Sequence, residues 1–144
     1  MTAQAGFTLV ETLVVAAILS VLAVGATLVV NRAGAGSDAA RFARVFADTR
    51  HRAVVGQQAL ALVPGPGGLG LLRQGAEGWS ADSAEQPWRG RVVLAGGTSL
   101  GAGTQAVVLL PTGQTSAFSL RFTGSGDAIE CRTDGWADLA CGAG

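Results

Sequence analysis

The sequence has no lysine and no tyrosine, and it contains only one histidine, two cysteines and four prolines. Without lysine the chain cannot form the phosphate-binding loop that ends in Gly-Lys-Ser/Thr. Because His51 is the only histidine, and the cysteines do not have the spacing of a metal motif, we expect no metal site and no cofactor. The ten basic residues are all arginines, and ten acidic residues balance them. The resulting net charge of zero gives no overall electrostatic attraction for nucleic acid.

Apolar residues are abundant instead, at 49% of 144 residues, and the mean hydropathy is +0.40. This length allows one modest domain. The apolar excess is concentrated in residues 7–30, where Glu11 is the only charged residue. As a helix this run would be about 36 Å long, enough to cross a hydrocarbon core of about 30 Å. We therefore predict a transmembrane helix over residues 7–30. Ala33-Gly34-Ala35 also fits a secretory cleavage site, but such signals have apolar runs of only about 7–15 residues.

Glu11 is the unusual residue of this run, because a carboxylate inside an apolar span costs a few kcal/mol. Either it lies near the membrane interface without a role, or it meets a positive partner at a helix N-terminus. The sequence from Gly6 to Glu11, GFTLVE, closely resembles the cleavage and methylation signature of type IV pilins and type II secretion pseudopilins. The resemblance implies cleavage after Gly6 by a prepilin peptidase and N-methylation of Phe7. It also implies that Glu11 neutralises the free amine of a neighbouring subunit during assembly.

Residues 1–6, MTAQAG, would be the prepilin leader, and they carry no basic residue although leaders of this family usually do. Four arginines follow the span, so the positive-inside rule favours the opposite orientation. Either the signature overrides this bias or the reading frame begins further upstream with a basic leader. We favour the upstream start.

The remaining chain is predicted to be one helix followed by a sheet. Asn31–Ser37 contains two glycines and predicts a bend, with Ser37 as the N-cap of the helix that follows. Apolar residues then recur at helical spacing up to about Gly56. The predicted apolar stripe consists of Ala39, Phe42, Val45, Phe46, Thr49, Ala53 and Val54.

Beyond the helix, short β-like runs alternate with glycine and proline. The predicted strands span residues 59–63, 69–73, 91–95, 106–110, 117–122 and 128–133. Residues 75–87 are predicted as a long connecting loop. A helix followed by consecutive strands indicates an α+β domain with antiparallel sheet. Together with the resemblance this predicts a pilin-like fold, with residues 31–58 as the amphipathic second half of the long helix and residues 59–144 as a periplasmic β domain.

The resemblance extends more weakly to the segment Leu110–Ser116, LPTGQTS. It is similar to a turn found in H-type minor pseudopilins and FimT-like minor pilins, although any β protein could use a Pro-x-Gly turn here. The family places its C-terminal domain in the oxidising periplasm and often has a C-terminal disulfide loop. We therefore expect a Cys131–Cys141 disulfide, worth about 3 kcal/mol on the chain-entropy model. Two unrelated free thiols are the alternative.

The sequence offers little support for catalysis. Gly97–Gly101, GTSLG, matches the nucleophile-elbow pattern, but no helix signal follows it and His51 lies upstream. We therefore expect no enzymatic activity. Trp88, Arg89 and Arg91 form a cationic and aromatic cluster that could contact nucleic acid. We give this low weight, and Trp88 could equally be a partly buried residue at a strand edge.

These observations predict a structural minor pseudopilin of the H type. It would be a single-pass protein of the bacterial inner membrane that helps to initiate or cap a periplasmic filament for protein export. Its partners would be the prepilin peptidase, the major pseudopilin and other minor pseudopilins. The alternatives are a FimT-like minor type IV pilin in adhesion, motility or DNA uptake, a major pilin, and a membrane-anchored binding module unrelated to pilins.

Overall fold

The computed structural model describes residues 9–30 and 34–144, with the side chains of residues 22–30 left out. The chain divides into two compact units, Met1–Arg32 and Ala33–Gly144. Gly6 and Phe7 lie outside the described residues, and so do residues 31–33 of the bend predicted over Asn31–Ser37. The rest of that stretch contains the start of the second helix, at Ala35.

The first unit contains helix α1, Leu9–Val30. Its side chains from residue 9 to 21 are all exposed, and most of them are apolar. Two hydroxyls bond to the helix backbone: Thr12 Oγ1 donates to the Leu9 carbonyl at 2.9 Å, and Ser20 Oγ donates to the Ala16 carbonyl at 2.6 Å. In the described part of the chain, no helix has the length and apolar character needed to cross a membrane. The membrane-spanning role of residues 7–30 stays a prediction.

The second unit begins with helix α2, Ala35–Val55, which presents the predicted apolar stripe to the core. Phe42 and Ala53 are completely buried, whereas Val54 is partly exposed. The predicted N-cap is wrong, because the cap position is Gly34 and Ser37 lies inside the first turn. A side chain at Gly34 would overlap the Ser125 carbonyl group, so close packing explains why glycine stands there. Gly56 ends the helix as predicted.

Nine strands follow, and they form two antiparallel sheets. The strands are β1 (Leu60–Pro64), β2 (Gly68–Gly75), β3 (Gly78–Pro87), β4 (Arg91–Gly96), β5 (Thr98–Ser99), β6 (Gln105–Leu109), β7 (Phe118–Thr123), β8 (Ile129–Thr133) and β9 (Ala140–Ala143). One sheet has the order β3-β2-β1-β6-β5, and the other has the order β4-β7-β8-β9. The predicted α+β class with antiparallel sheet is confirmed.

Strand β3 corrects the sequence-based prediction of a loop over residues 75–87. It pairs with β2 along its length, from Gly68 opposite Pro87 to Gly75 opposite Gly78, with two register shifts on the way. Both of its faces are largely exposed, and it lies at the edge of its sheet. A strand of this kind buries no apolar face, so it leaves no alternating hydrophobic pattern in the sequence.

The core of the second unit lies between α2 and the two sheets. The Phe42 ring packs within 6.1 Å of the Phe46 ring and within 5.9 Å of the Phe118 and Phe122 rings, measured between centroids. Leu62 and the other buried residues of the five-stranded sheet join the same cluster. Helix α2 therefore packs against both sheets.

Candidate functional site

Glu11, the residue to which the resemblance assigns a role in assembly, lies in the first turn of α1. The first turn is where the helix dipole favours a negative charge. Most side chains around it on the helix are exposed and apolar, with Val10 at 70% and Leu13 at 63% exposure. A single carboxylate on an apolar helix surface suits the pairing with a positive group that the resemblance implies.

The two cysteines form a disulfide between neighbouring strands, where Cys131 of β8 stands opposite Cys141 of β9. Cys131 is buried in the core, whereas Cys141 is exposed on the edge strand. The bond thus fixes the last strand of the chain to the core, as the resemblance implied.

A tight turn fills the loop between β8 and β9. Asp134 Oδ1 accepts hydrogen bonds from the backbone amides of Ala137 at 2.8 Å and Trp136 at 2.9 Å. These two bonds, that of Ala137 first, lower the pKa of the Asp134 carboxyl below its ordinary value, because they stabilise the ionised form. Thr133 Oγ1 adds a bond to the Ala137 carbonyl at 2.8 Å. The turn presents Trp136 to solvent with 72% of its surface exposed.

Arg50 of α2 holds this loop and a second turn in place. Its Nε donates to the Gly113 carbonyl at 2.7 Å, and its Nη1 lies 3.0 Å from Asp138 Oδ1. Gly113 belongs to the predicted Pro-x-Gly turn, where it adopts a positive φ of 86°. Sequence reasoning missed Arg50, because its two partners lie 63 and 88 residues away along the chain.

The residues of the cationic and aromatic cluster predicted around Trp88 differ in their environments, because Trp88 is partly buried and Arg91 is exposed. The Trp88 ring packs edge-on against Phe122 at 5.8 Å and lies under the Arg41 guanidinium at 5.0 Å. Its Nε1 donates to the Gly65 carbonyl at 3.0 Å. Arg91, in contrast, is exposed at the start of β4. Trp88 is thus a partly buried residue that packs against the core, which was the alternative to a nucleic-acid contact.

The buried carboxylate of Asp38 organises the same connection between β3 and β4. Its Oδ2 accepts hydrogen bonds from the backbone amides of Arg89 and Gly90, both at 2.9 Å. The side chain is only 2% exposed, and Arg41 Nη2 lies 3.6 Å from its other oxygen. The sequence predicted Asp38 only as a favourable charge in the first turn of the helix. Its partners could not be found because they lie 51 and 52 residues further along the chain.

The nucleophile-elbow pattern does not have the geometry that its chemistry needs. Ser99 lies in the short strand β5, and the residues after it form a turn instead of a helix. Among the described residues, no group of three or more His, Cys, Asp or Glu side chains is placed to hold a metal ion.

Comparison with known proteins found a match to a sequence motif and a similarity of fold. Residues 1–27 match the prokaryotic N-terminal methylation motif. The fold is similar to that of the minor pseudopilin EpsH from the type 2 secretion system of Vibrio cholerae, with a TM-score of 0.61 and 15% identity, covering 76% of this chain and 97% of EpsH. The chain combines the prepilin methylation motif with a pilin-like fold. No curated protein sequence matches it significantly.

The match to the methylation motif supports the resemblance drawn from GFTLVE. The similarity to EpsH supports the predicted pilin-like fold. The described residues show no positive sign of catalysis.

Proposed function

We propose that this chain is a minor pseudopilin of a type II secretion system, with a structural role in the periplasmic filament that moves proteins across the outer membrane. The observation that carries the proposal is the combination of the methylation motif over residues 1–27 with the pseudopilin-like fold of the rest. The chain would help to initiate or cap the filament.

The proposal assigns a role to each part of the N-terminal segment. The prepilin peptidase would remove residues 1–6 after Gly6, and Phe7 would then be N-methylated. Residues 7–30 would anchor the protein in the inner membrane and later pack in the filament core, with the second unit in the periplasm. Glu11 would pair with the methylated amine of a neighbouring subunit and so set the register of assembly.

A gene deletion in the native host tests the role. Extracellular protein is measured together with DNA uptake and surface motility, and the wild-type gene is returned as a control. Secreted proteins retained in the periplasm, with uptake and motility intact, would support the pseudopilin role. Intact secretion with lost uptake or motility would overturn it in favour of a FimT-like minor pilin.

Glu11→Ala tests the assembly role separately, with Thr12→Ala as a matched control on the same turn of α1. We expect Glu11→Ala to remain in the membrane, to be cleaved before Phe7 and yet to fail in restoring secretion. Among the described residues, the Thr12 hydroxyl bonds to the Leu9 carbonyl of its own helix, so Thr12→Ala should restore secretion. Full secretion with Glu11→Ala would contradict the assembly role.

A further inference from the structure

The outer face of the four-stranded sheet carries three arginines on three adjacent strands. In β7 and β8 the buried residues Leu120 and Cys131 point to the core, so side chains at alternate positions point outward. Arg91 of β4, Arg121 of β7 and Arg132 of β8 all occupy outward positions, and all three are exposed.

The strand register brings an exposed apolar side chain into this group. Val93 of β4 stands opposite Arg121, which in turn stands opposite Glu130. Val93 is 56% exposed, a large fraction for a valine on a sheet. We call the surface formed by Arg91, Val93, Arg121 and Arg132 the arginine face.

The arginines of this face differ from most of those elsewhere in the domain. Four of the other six arginines within residues 34–144 form ion pairs with Asp38, Asp82 or Asp138, namely Arg41, Arg50, Arg52 and Arg73. Arg44 and Arg89 form none among the described residues. None of the ion pairs or side-chain hydrogen bonds found within residues 34–144 involves the three guanidinium groups of the arginine face.

The acidic residues near the arginine face already have other partners. Glu130, the one carboxylate on the same face of these strands, accepts a hydrogen bond from Ser119 Oγ at 2.6 Å. Asp134, in the loop after β8, accepts two backbone amides. The hydrogen bond from Ser119 leaves the negative charge of Glu130 in place, so this side of the sheet carries three positive charges and one negative charge. Among the described residues none of the three guanidinium groups forms an ion pair.

We propose that the arginine face is a docking surface for an acidic, partly apolar surface of a neighbouring pseudopilin subunit. This inference rests on the proposed function for the identity of the partner. Charge complementarity would orient the two subunits, and Val93, on the edge strand β4 beside Arg121, would supply the apolar contact. Three guanidinium groups on adjacent strands suit a cluster of carboxylates, because each group can bind a carboxylate through two parallel hydrogen bonds.

A protein partner fits this face better than nucleic acid does. Proteins that bind single strands stack bases on aromatic side chains, and the outward positions described on these four strands hold no aromatic residue. Trp88, the nearest aromatic residue in sequence to Arg91, packs against Phe122 instead. The exposed Val93 side chain also offers no hydrogen bond or charge to a phosphate backbone.

Site-specific photo-cross-linking tests the proposal in cells that express the full chain with the other pseudopilins of its own system. A photoreactive amino acid replaces Val93, and mass spectrometry identifies the cross-linked peptide. Arg121→Glu and Arg132→Glu are compared with Arg44→Glu, a matched reversal of an exposed arginine on α2. Thermal unfolding of each purified variant checks that the reversals leave the domain folded.

We expect Val93 to cross-link to an acid-rich segment of another pseudopilin. Each reversal on the arginine face should lower the yield about tenfold, and Arg44→Glu should not lower it. Replacing an acidic residue of the cross-linked segment by arginine should restore the yield with Arg121→Glu. No cross-link, or a yield that the reversals leave unchanged, would overturn the proposal.

Two further experiments distinguish a protein partner from nucleic acid, and the docking surface from the secretion role. If the purified wild-type chain bound a labelled oligonucleotide at low salt and Arg121→Glu abolished the binding, nucleic acid would replace the protein partner. If the charge-dependent cross-link to a pilin-like subunit persisted in a host whose secretion does not need the gene, the docking surface would stand and the secretion role would fall.

Discussion

Removing the Asp38 carboxylate should destabilise the domain strongly, because one buried oxygen accepts two backbone hydrogen bonds at 2.9 Å. Hydrogen bonds to a charged group contribute about 1.5–3 kcal/mol each. The amides of Arg89 and Gly90 are only partly buried, so water can replace part of the loss. We therefore expect Asp38→Ala to lower the free energy of unfolding by about 3 kcal/mol, near the lower end of the summed range. For a domain of this size that corresponds to a fall in Tm of about 10 °C.

Urea unfolding of the full chain in detergent, followed by tryptophan fluorescence, measures this loss. Asp38→Asn keeps an acceptor of the same shape without the charge, so its loss should be about half that of Asp38→Ala. Asp48→Ala is the control, because Asp48 is exposed on the same helix and forms no ion pair within the described residues. If Asp38→Ala unfolded within about 0.5 kcal/mol of the wild type, a range typical of surface substitutions, Asp38 would not hold the β3–β4 connection.

The two other predictions concern the loop after β8. Because folding lowers the pKa of Asp134, the bonds to its carboxylate are present above the ordinary pKa of the group and are lost as the pH falls through the folded value. In an NMR titration, the chemical shift of the Trp136 amide should change with pH as these bonds are lost, and Asp134→Asn should abolish this pH dependence. If the pH dependence persisted in Asp134→Asn, the Asp134 carboxylate would not be its cause. Gly135→Ala should lower the free energy of unfolding by about 2 kcal/mol more than Gly101→Ala does. Both glycines have φ above +90°, but only at Gly135 would the added Cβ overlap the Thr115 carbonyl group. Equal losses of thermal stability in the two variants would show that the turn at Gly135 relaxes to accommodate the added methyl group.

Sequence periodicity was most informative where one face of an element is buried. The apolar stripe of α2 and the strand over residues 117–122 were both predicted. The helix buries every third to fourth residue and the strand every second residue in the same core. The edge strand β3 and the short strand β5 were missed, because neither buries an apolar face. A strand at the C-terminus, β9, was also missed, since its four residues are all exposed and the disulfide holds it in place.

The candidate sites could be predicted from the sequence only where their residues are close together along the chain. The N-terminal signature is local in sequence, so it could be identified without a structure, and the methylation motif agrees with it. Contacts between distant residues left no such pattern: neither the Arg50 bonds nor the amides around Asp38 could be inferred from spacing. The arginine face is intermediate, because its three arginines lie within predicted strands, but their position on one face depends on the register of those strands.

The packing of α2 against both sheets has a mechanical consequence. A force applied along α2 would act on the core that this helix shares with both sheets. Phe42 and its aromatic neighbours connect the helix to one sheet, and Leu62 connects it to the other through the same cluster. The helix cannot slide along one sheet without separating from the second, so a pull is shared across the whole core. In the filament role proposed above, the domain would therefore be carried as a rigid load, with little stretching of its own.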